Sequence, residues 1–428
     1  MAIKYHAPRG TNDLVYPESD KLRSLLEVAR EVLELHGYQR IDTPILESTE
    51  LFTRSIGEAT DIVSKEMYTF EDQGGESLSL RPEGTAPVMR AYLEKGLQSS
   101  GLPQKLYYFG PMFRRERPQA GRFRQFYQVG AEAIGSSDPF LDAEIVALSE
   151  LLFKRLGLGG YALLLNSVGC RECRPSYVRM LTLFLQGVSQ SLCEECVRRS
   201  RENPLRVFDC KNEDCRQALT EAPVIGEQLC PACREHFDAV KEHLDRLSVS
   251  FEVDNRLVRG LDYYTNTTFE FRFDGLGAQN TVSAGGRYDY LAEELGGPET
   301  PGVGFSLGVE RLLMAMEAQG LDPFSAAKLD VFVAGAPGAD RGKLLDIMTD
   351  LRAAGVSADA DFMERGLKAQ MKQADRLKAR LVLILGKDEL QRGEVTFRDL
   401  DQSNQWTVSL ADMIAKVKDF LASRQYDG

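Results

Sequence analysis

The sequence predicts an α+β protein: a domain built on an antiparallel sheet, split by a helical cysteine-rich insert and followed by a C-terminal α/β domain. Three observations carry this. From Leu106 to Gly135 the chain alternates as strands do, with Tyr107 and Phe109 in the first arm and Phe126, Gln128, Gly130 and Glu132 in the second. Pro118 and Gly121 between the arms forbid a continuous helix, so the stretch is a long antiparallel hairpin. All eight cysteines fall between residues 170 and 233, and after a composition change at 326–328 strands and helices alternate over short links.

At 428 residues the chain should hold about three domains of roughly 150 residues. The expected boundaries are 1–168 and 251–325 for the two parts of the sheet domain, 169–250 for the insert and 329–428 for the last domain. Hydrophobic content of 43% and charged content of 27% are those of a soluble globular chain. The segment Met1 to Leu14 lacks the apolar core of a signal peptide, and no apolar run is long enough to cross a bilayer. A cytoplasmic protein without a membrane partner is expected. A net charge of -12 argues against indiscriminate nucleic-acid binding but leaves room for a focused basic groove.

In chain order, turn residues fill Arg9 to Asp13. A helix then starts near Ser19, with Leu22, Leu25, Leu26, Ala29, Val32 and Leu33 at helical spacing, and Gly37 stops it. Tyr38 to Glu47 is extended but interrupted by Pro44, which marks an edge or a point where pairing leaves the sheet; the segment lies at a dimer seam or at an ordinary surface edge. A second hairpin brackets Asp72-Gln73-Gly74-Gly75, and a turn, Arg81 to Thr85, opens a helix ending near Leu93. Glu83 with Thr85 suits a cationic amine; the plainer reading is an exposed turn acid.

The long hairpin carries Arg114, Arg115, Arg117, Arg122 and Arg124 against one acid, Glu116. Guanidinium forks match phosphate oxygens, so a polyanion is expected here rather than a merely solvated tip.

The cysteines come as Cys170-x2-Cys173, Cys193-x2-Cys196, Cys210-x4-Cys215 and Cys230-x2-Cys233. Paired thiolates suit tetrahedral zinc, and the first two pairs stand a suitable interval apart. Free or partly degenerate cysteines are the alternative, disulfides being disfavoured in a reducing compartment. Eight thiols suffice for two four-sulfur sites, with His236 able to replace one sulfur. No open position is indicated, so the metal would be structural. Helices expected over 175–188 and 234–247 would make the insert self-contained.

Beyond it, Leu257 to Thr265, the alternating Phe269 to Phe273 and Ser283 to Asp289 join apolar strands to Arg, Asp and Tyr around glycines, as where backbone packs close to a ligand. Gly302 to Leu313 reads as a strand entering a helix near Gly308, with Arg311 on its first turn. Its Gly-x-Gly is no dinucleotide fingerprint, since Leu307 stands where a glycine belongs, and no Gly-x4-Gly-Lys-Ser/Thr loop occurs. A nucleotide site here must rest on arginines. In the last domain, strands at 330–334 and 381–385 with helices at 340–354 and 412–421 imply a mainly parallel layer. Arg365, Lys368, Lys372 and Arg376 share one helical face, either solvated or facing RNA.

These segments resemble the class II aminoacyl-tRNA synthetases. Arg114 and its hairpin are similar to motif 2, Gly302 to Leu313 to motif 3, and the helix ending at Gly37 with Pro44 to motif 1. Leu-Val-Arg-Gly-Leu-Asp-Tyr-Tyr (257–264) and Ala-Gly-Gly-Arg-Tyr-Asp (284–289) resemble the signatures of the histidyl-tRNA synthetases. The resemblance runs from Arg9 through the last domain and departs from the family in the thiols of the insert. It implies a class II-type sheet, an anticodon-binding C-terminal domain, a homodimer, and the substrates ATP with Mg²⁺, L-histidine and tRNA(His). Arg114 would hold the α-phosphate and Arg311 the γ-phosphate side, with Glu116, Arg122 and Phe126 around the adenine and bent triphosphate. Arg259 would sit against the α-phosphate and the attacking carboxylate. Glu132 and Tyr264 would pair with the imidazole, beside Tyr288 and Tyr263, while Glu83, Thr85 and Gln128 would take the α-amino group and neighbouring carboxylate. Arg115, Arg117, Gln119 and Arg124 would hold the acceptor end of tRNA. Two other readings stand beside it: a synthetase-like regulatory subunit of ATP phosphoribosyltransferase, whose kind generally lacks the anticodon-type domain and has eroded motifs, and a non-catalytic zinc-bearing RNA-binding protein, which would not need Glu132 and Tyr264.

Overall fold

Alternation along the arginine-bearing stretch produces the hairpin it predicts. Gln104–Phe113 pairs antiparallel with Gln125–Ile134, placing Tyr108 opposite Gly130 and Leu106 opposite Glu132. Period two buries Val129, Ala131 and Ala133 under helices and leaves Gln128, Gly130 and Glu132 on the other face. The computed structural model describes residues 5–58, 60–277, 280–322 and 329–423. It divides into two units, Met1–Phe324 and Ser325–Gly428.

In the first unit the hairpin belongs to an eight-stranded sheet ordered Gln39–Arg40, Gln104–Phe113, Gln125–Ile134, Gly302–Gly308, Thr281–Arg287, Thr265–Phe273, Tyr161–Ser167 and Glu252–Val253. Pairing is antiparallel throughout except at the edges, where the short strands Gln39–Arg40 and Glu252–Val253 join in parallel. Helices Glu18–Leu35 and Pro139–Arg155 share one core with the covered face. Asp138 caps the second by accepting the Phe140 N–H at 2.9 Å, and Lys154 and Arg155 complement the dipole at its other end. Phe153 packs edge-on against Phe271 and Phe273 at 5.1 and 5.3 Å, pinning this helix to the strands. Losing that ring would cost about 3–5 kcal/mol.

Pro44 stands where the extended segment changes partners. Gln39–Arg40 joins the large sheet, whereas Leu46–Ser48 pairs with Ser77–Leu80 in a separate three-stranded sheet completed by Tyr68–Glu71. The insert contributes helices Arg174–Gly187, Glu194–Glu202, Glu213–Ala218 and Pro231–Arg246. It has a core of its own, around Tyr177, Leu181, Cys196, Val207 and Ile225, but is self-contained only in part. Its helix Pro231–Arg246 buries Phe237, Val240 and Leu244 in the same core as Phe153, because its apolar stripe needs a partner and helix Pro139–Arg155 provides one.

The second unit holds a five-stranded sheet, Ala358–Ala360, Val331–Gly335, Leu381–Leu385, Glu394–Asp399 and Gln405–Ser409. The first three are parallel, but the last two add an antiparallel hairpin, so the sheet is mixed rather than mainly parallel. Arg365 precedes the helix Leu367–Arg376 and pairs with Asp361, which leaves Lys368, Lys372 and Arg376 on the basic face. The composition change at 326–328 lies outside the described residues.

Candidate active site

Small residues open the site. A β-carbon at Gly304 would overlap the Glu132 carboxylate, and one at Gly84 or Gly130 would overlap the Tyr108 ring. Gly285 and Gly286 serve a different end. Their added β-carbons would meet the backbone oxygens of Gly304 at 2.1 Å and Thr267 at 2.5 Å, so the close approach there is between strands and not to a ligand. The adjoining Arg287 is fully buried and ion-paired to Asp142 at 2.7 Å and Asp289 at 2.9 Å. Asp142 also accepts from Thr267 and pairs with His236 Nε2 at 2.7 Å, which commits His236 to this network and keeps it from either cysteine cluster.

At one end of the cavity lies Glu132. It accepts from Tyr288 at 2.6 Å and Thr85 at 2.7 Å, with Tyr108 farther off at 3.4 Å. Burial pushes its pKa up to about 8 although the hydroxyls pull the other way. Glu83 is buried, not an exposed turn acid: it accepts the Thr85 N–H at 2.6 Å and the Ala86 N–H at 2.9 Å at the start of helix Thr85–Glu94. Its pKa is raised by burial despite those bonds. The rings of Tyr263 and Tyr264 meet at a tilt of 53° with 4.8 Å between centres, and burial raises Tyr264 to about 12. Tyr108 is a member that sequence reasoning missed. Its signal, glycines at 84 and 130 on either side of one ring, is readable only once the strand register is known.

Arginines make the other end. Arg114 donates to the Pro82 carbonyl at 3.0 Å and lies 5.3 Å over the Phe126 ring, occupying one of its faces. Arg122 pairs with Glu116 at 2.7 Å. Arg259 pairs with Glu270, which Arg272 and Thr281 also hold. Arg311 donates to the carbonyls of Gly121 and Thr281, each at 3.0 Å. Burial, then repulsion from Arg122 and Arg114, lowers Arg311 to about 10. Lys211, reaching in from the insert and also unforeseen, is lowered by burial and by Arg122 and Arg311. The Nε atoms of Arg122 and Arg259 and Oε1 of Gln128 are buried without a hydrogen-bond partner.

One cavity of about 140 Å³, partly open to solvent, is lined by Glu83, Thr85, Arg114, Glu116, Arg122, Phe126, Gln128, Arg259, Tyr263, Tyr264, Tyr288 and Arg311, with Glu132 bonded to its wall. Arg115, Arg117, Gln119 and Arg124 do not line it. Gln119 forms the hairpin tip with Arg122, and Arg124 packs on Gly10 and donates to the Glu116 carbonyl.

The cysteines gather into two foursomes, Cys170, Cys173, Cys230 and Cys233, and Cys193, Cys196, Cys210 and Cys215. The first pair is thus matched with the fourth and the second with the third, not the first with the second. A tetrahedral ion with bonds of about 2.3 Å to sulfur requires sulfurs about 3.8 Å apart. The closest pairs stand at 3.8 Å (Cys170–Cys173, Cys173–Cys233) and 3.9 Å (Cys170–Cys230, Cys193–Cys210). Backbone N–H groups of Cys170 and Cys193 point at the sulfurs of Cys173 and Cys215.

A sheet of antiparallel strands carrying an arginine-rich hairpin and a strand-to-helix arginine, over a cavity with no glycine cradle, defines a class II aminoacyl-tRNA synthetase. The histidyl-tRNA synthetase family model matches residues 10–173 and 189–312, and an anticodon-binding domain model matches 331–420. The chain is 51% identical over 407 residues to the histidine–tRNA ligase of Moorella thermoacetica (95% of this chain, 96% of that protein). It is 50% identical over 411 residues to that of Desulforudis audaxviator (96% and 98%). The apo histidyl-tRNA synthetase of S. aureus superposes with a TM-score of 0.83 at 36% identity, covering 97% of this chain and 100% of that one. The chain belongs to the histidyl-tRNA synthetase family. A Bacillus halodurans structure titled as an ATP phosphoribosyltransferase regulatory subunit/histidyl-tRNA synthetase shares the fold at 20% identity, TM-score 0.65, covering 90% of this chain and 99% of that one.

Proposed function

We propose that this cavity activates L-histidine with ATP and passes it to tRNA(His). A histidine carboxylate oxygen attacks the α-phosphorus in line, the bond to the β-phosphate oxygen breaks, and histidyl-adenylate and pyrophosphate form. A terminal ribose hydroxyl of tRNA then attacks the acyl carbon, and AMP leaves. The carboxylate is already a nucleophile at neutral pH, so no general base is required for the first step.

The observation that carries this reading is the crowding of Arg114, Arg122, Arg259 and Arg311 about one wall, where burial first and then repulsion from its neighbours make Arg311 lose its proton more readily. Fixed cations aimed at charge that develops during transfer are the main catalytic resource of phosphoryl chemistry. Arg259 takes the α-phosphate and carboxylate, Arg114 the α-phosphate, and Arg311 the γ side. Phe126 offers its remaining face to adenine, with Glu116 and Arg122 beside it. Mg²⁺ bound with the triphosphate would share its charge. Glu310, a half-buried carboxylate on this wall raised to about 7 mainly by desolvation, fits such an ion.

At the far end Glu132 accepts from the imidazole, Tyr264 donates, and Tyr288 and Tyr263 close the pocket. Glu83, Thr85 and Gln128 face the α-amino and carboxylate groups; the unpartnered Oε1 of Gln128 suits an ammonium. Arg115, Arg117, Gln119 and Arg124, outside the cavity, hold the acceptor end of tRNA, and the 329–428 domain its anticodon. Each cysteine foursome holds one structural Zn²⁺ in a closed four-sulfur site. Exposed Ile45, Leu46 and Phe70, on and beside the small sheet, favour a homodimer. No helix among the described residues is long and apolar enough to cross a membrane. The test is ATP–pyrophosphate exchange: it should require histidine, and exchange absent with histidine, ATP and magnesium supplied would refute the reading.

A further inference from the structure

The segment 257–264, which carries Arg259, Tyr263 and Tyr264, has neither helix nor strand structure. Its backbone is held by neighbours instead. Asn166 donates to the Leu257 carbonyl at 2.9 Å, and the Asp262 N–H donates to the Ile56 carbonyl at 3.1 Å. The other two anchors come from the insert: Arg174 donates to the Tyr264 carbonyl, and Arg206 to the Gly260 carbonyl at 3.3 Å. Arg174 follows Cys173 of one foursome, and Arg206 lies between Cys196 and Cys210 of the other.

Arg206 is the more informative of the two. Its side chain, 11% exposed, makes contacts in three directions: Nε donates to Asp209 at 2.8 Å, Nη1 to Gly260, and Nη2 stands 3.5 Å from Asp61. Asp209 in turn lies within the electrostatic reach of Arg259 and Glu270. Around it Arg199 pairs with Asp61 at 2.9 Å and Asn203 donates to Asp262 at 2.7 Å, so the short turn Pro204–Asp209 is strapped across the loop. Cys210 ends that turn directly.

We propose that Arg206 is a positioning residue for the activation step: the Cys193, Cys196, Cys210 and Cys215 site holds its turn, and its guanidinium fixes the loop that aims Arg259. The inference rests on the role of Arg259 given above and on metal in the inner foursome. A guanidinium can bind a carbonyl and two carboxylates at once because its donors lie in a rigid fork, which a single ammonium cannot reproduce.

The test uses the full chain in histidine-dependent exchange, with zinc measured on every sample. Arg206→Ala should lower kcat about 10- to 100-fold, as expected for roughly an ångström of misplacement, with little change in KM for histidine or ATP. It should retain two zinc ions per chain, one for each foursome. Arg206→Gln, which keeps most of the side-chain length, should show the same split and carries the test if the alanine variant misfolds. Cys210→Ser should lose one zinc and show a comparable kcat defect, and the double variant should be no worse than either single one, since both remove the same support. A kcat for both Arg206 variants within about twofold of the parent, or defects that multiply in the double variant, overturns the inference. Arg259→Ala run in parallel separates the readings: a loss there with none at Arg206 overturns the inference alone, whereas no loss at Arg259 overturns both.

Discussion

The two ends of the cavity are finished in opposite ways. At the Glu132 end the carboxylates are already occupied: Glu132 by hydroxyls of Tyr288, Thr85 and Tyr108, Glu83 by the Thr85 and Ala86 amides. At the arginine end partners fall short. Arg122 and Arg259 each bury an Nε with nothing to bind, and Arg311 sits among like charges. Unpaired buried donors are costly, and repulsion adds to that cost until an anion arrives. The cationic end is therefore the one a ligand completes. At the other end the two carboxylates are held beforehand, as a selective pocket must hold them, while Oε1 of Gln128 and the Tyr263 hydroxyl are left for a ligand to meet.

The largest effect should come from breaking the unfinished end. Arg259→Ala should depress histidine-dependent exchange by about 10²–10³-fold, the usual cost of one donor aimed at developing charge. The fold should survive, because Glu270 keeps Arg272 and Thr281 as partners. Turnover near the parent's would remove Arg259 from the reaction. A smaller effect is expected at the finished end. Glu132→Gln places an amide N–H where Tyr288 or Thr85 now donates, and should raise KM for histidine about 10- to 100-fold while sparing KM for ATP. Equal losses for both substrates would mean that the two ends do not divide the labour as drawn.

What could be read from the chain follows the same division. The hairpin, the strand entering the helix at Gly308 and the cysteine pairs were legible because period-two alternation, glycine and thiol spacing are local signals. Residues brought together by register were not. Tyr108 looks like any strand aromatic until Gly130 is placed across from it and Gly84 beside it. Arg287, in a stretch that read as ligand-facing, is spent on Asp142, a partner 145 residues away. The pairing of the first cysteines with the last, the commitment of His236 to Asp142, the nearness of Lys211 to Arg122 and Arg311 and the bond from Arg206 to the Gly260 carbonyl all depend on how the insert docks. No spacing in the sequence records that.

The smallest effect is thermodynamic and concerns Glu132 alone. Its pKa is about 8 in the folded chain against 4.5 for the free group, so between those values the native state holds a proton that the unfolded state has lost. The unfolded chain then binds fewer protons, and stability must fall as pH rises through that window. Each unit of difference is worth about 1.4 kcal/mol at full effect. Glu83 and Glu310, also raised, push in the same direction, so the slope belongs to several groups. Glutamine at 132 carries no titrating proton. Whatever it costs in absolute stability by disturbing the Tyr288 and Thr85 bonds, it should flatten the decline in Tm between about pH 5.5 and pH 8 relative to the parent. An unaltered slope would show that Glu132 is already ionised when the cavity is empty, and the pre-assembled end would then hold a charge instead of a proton.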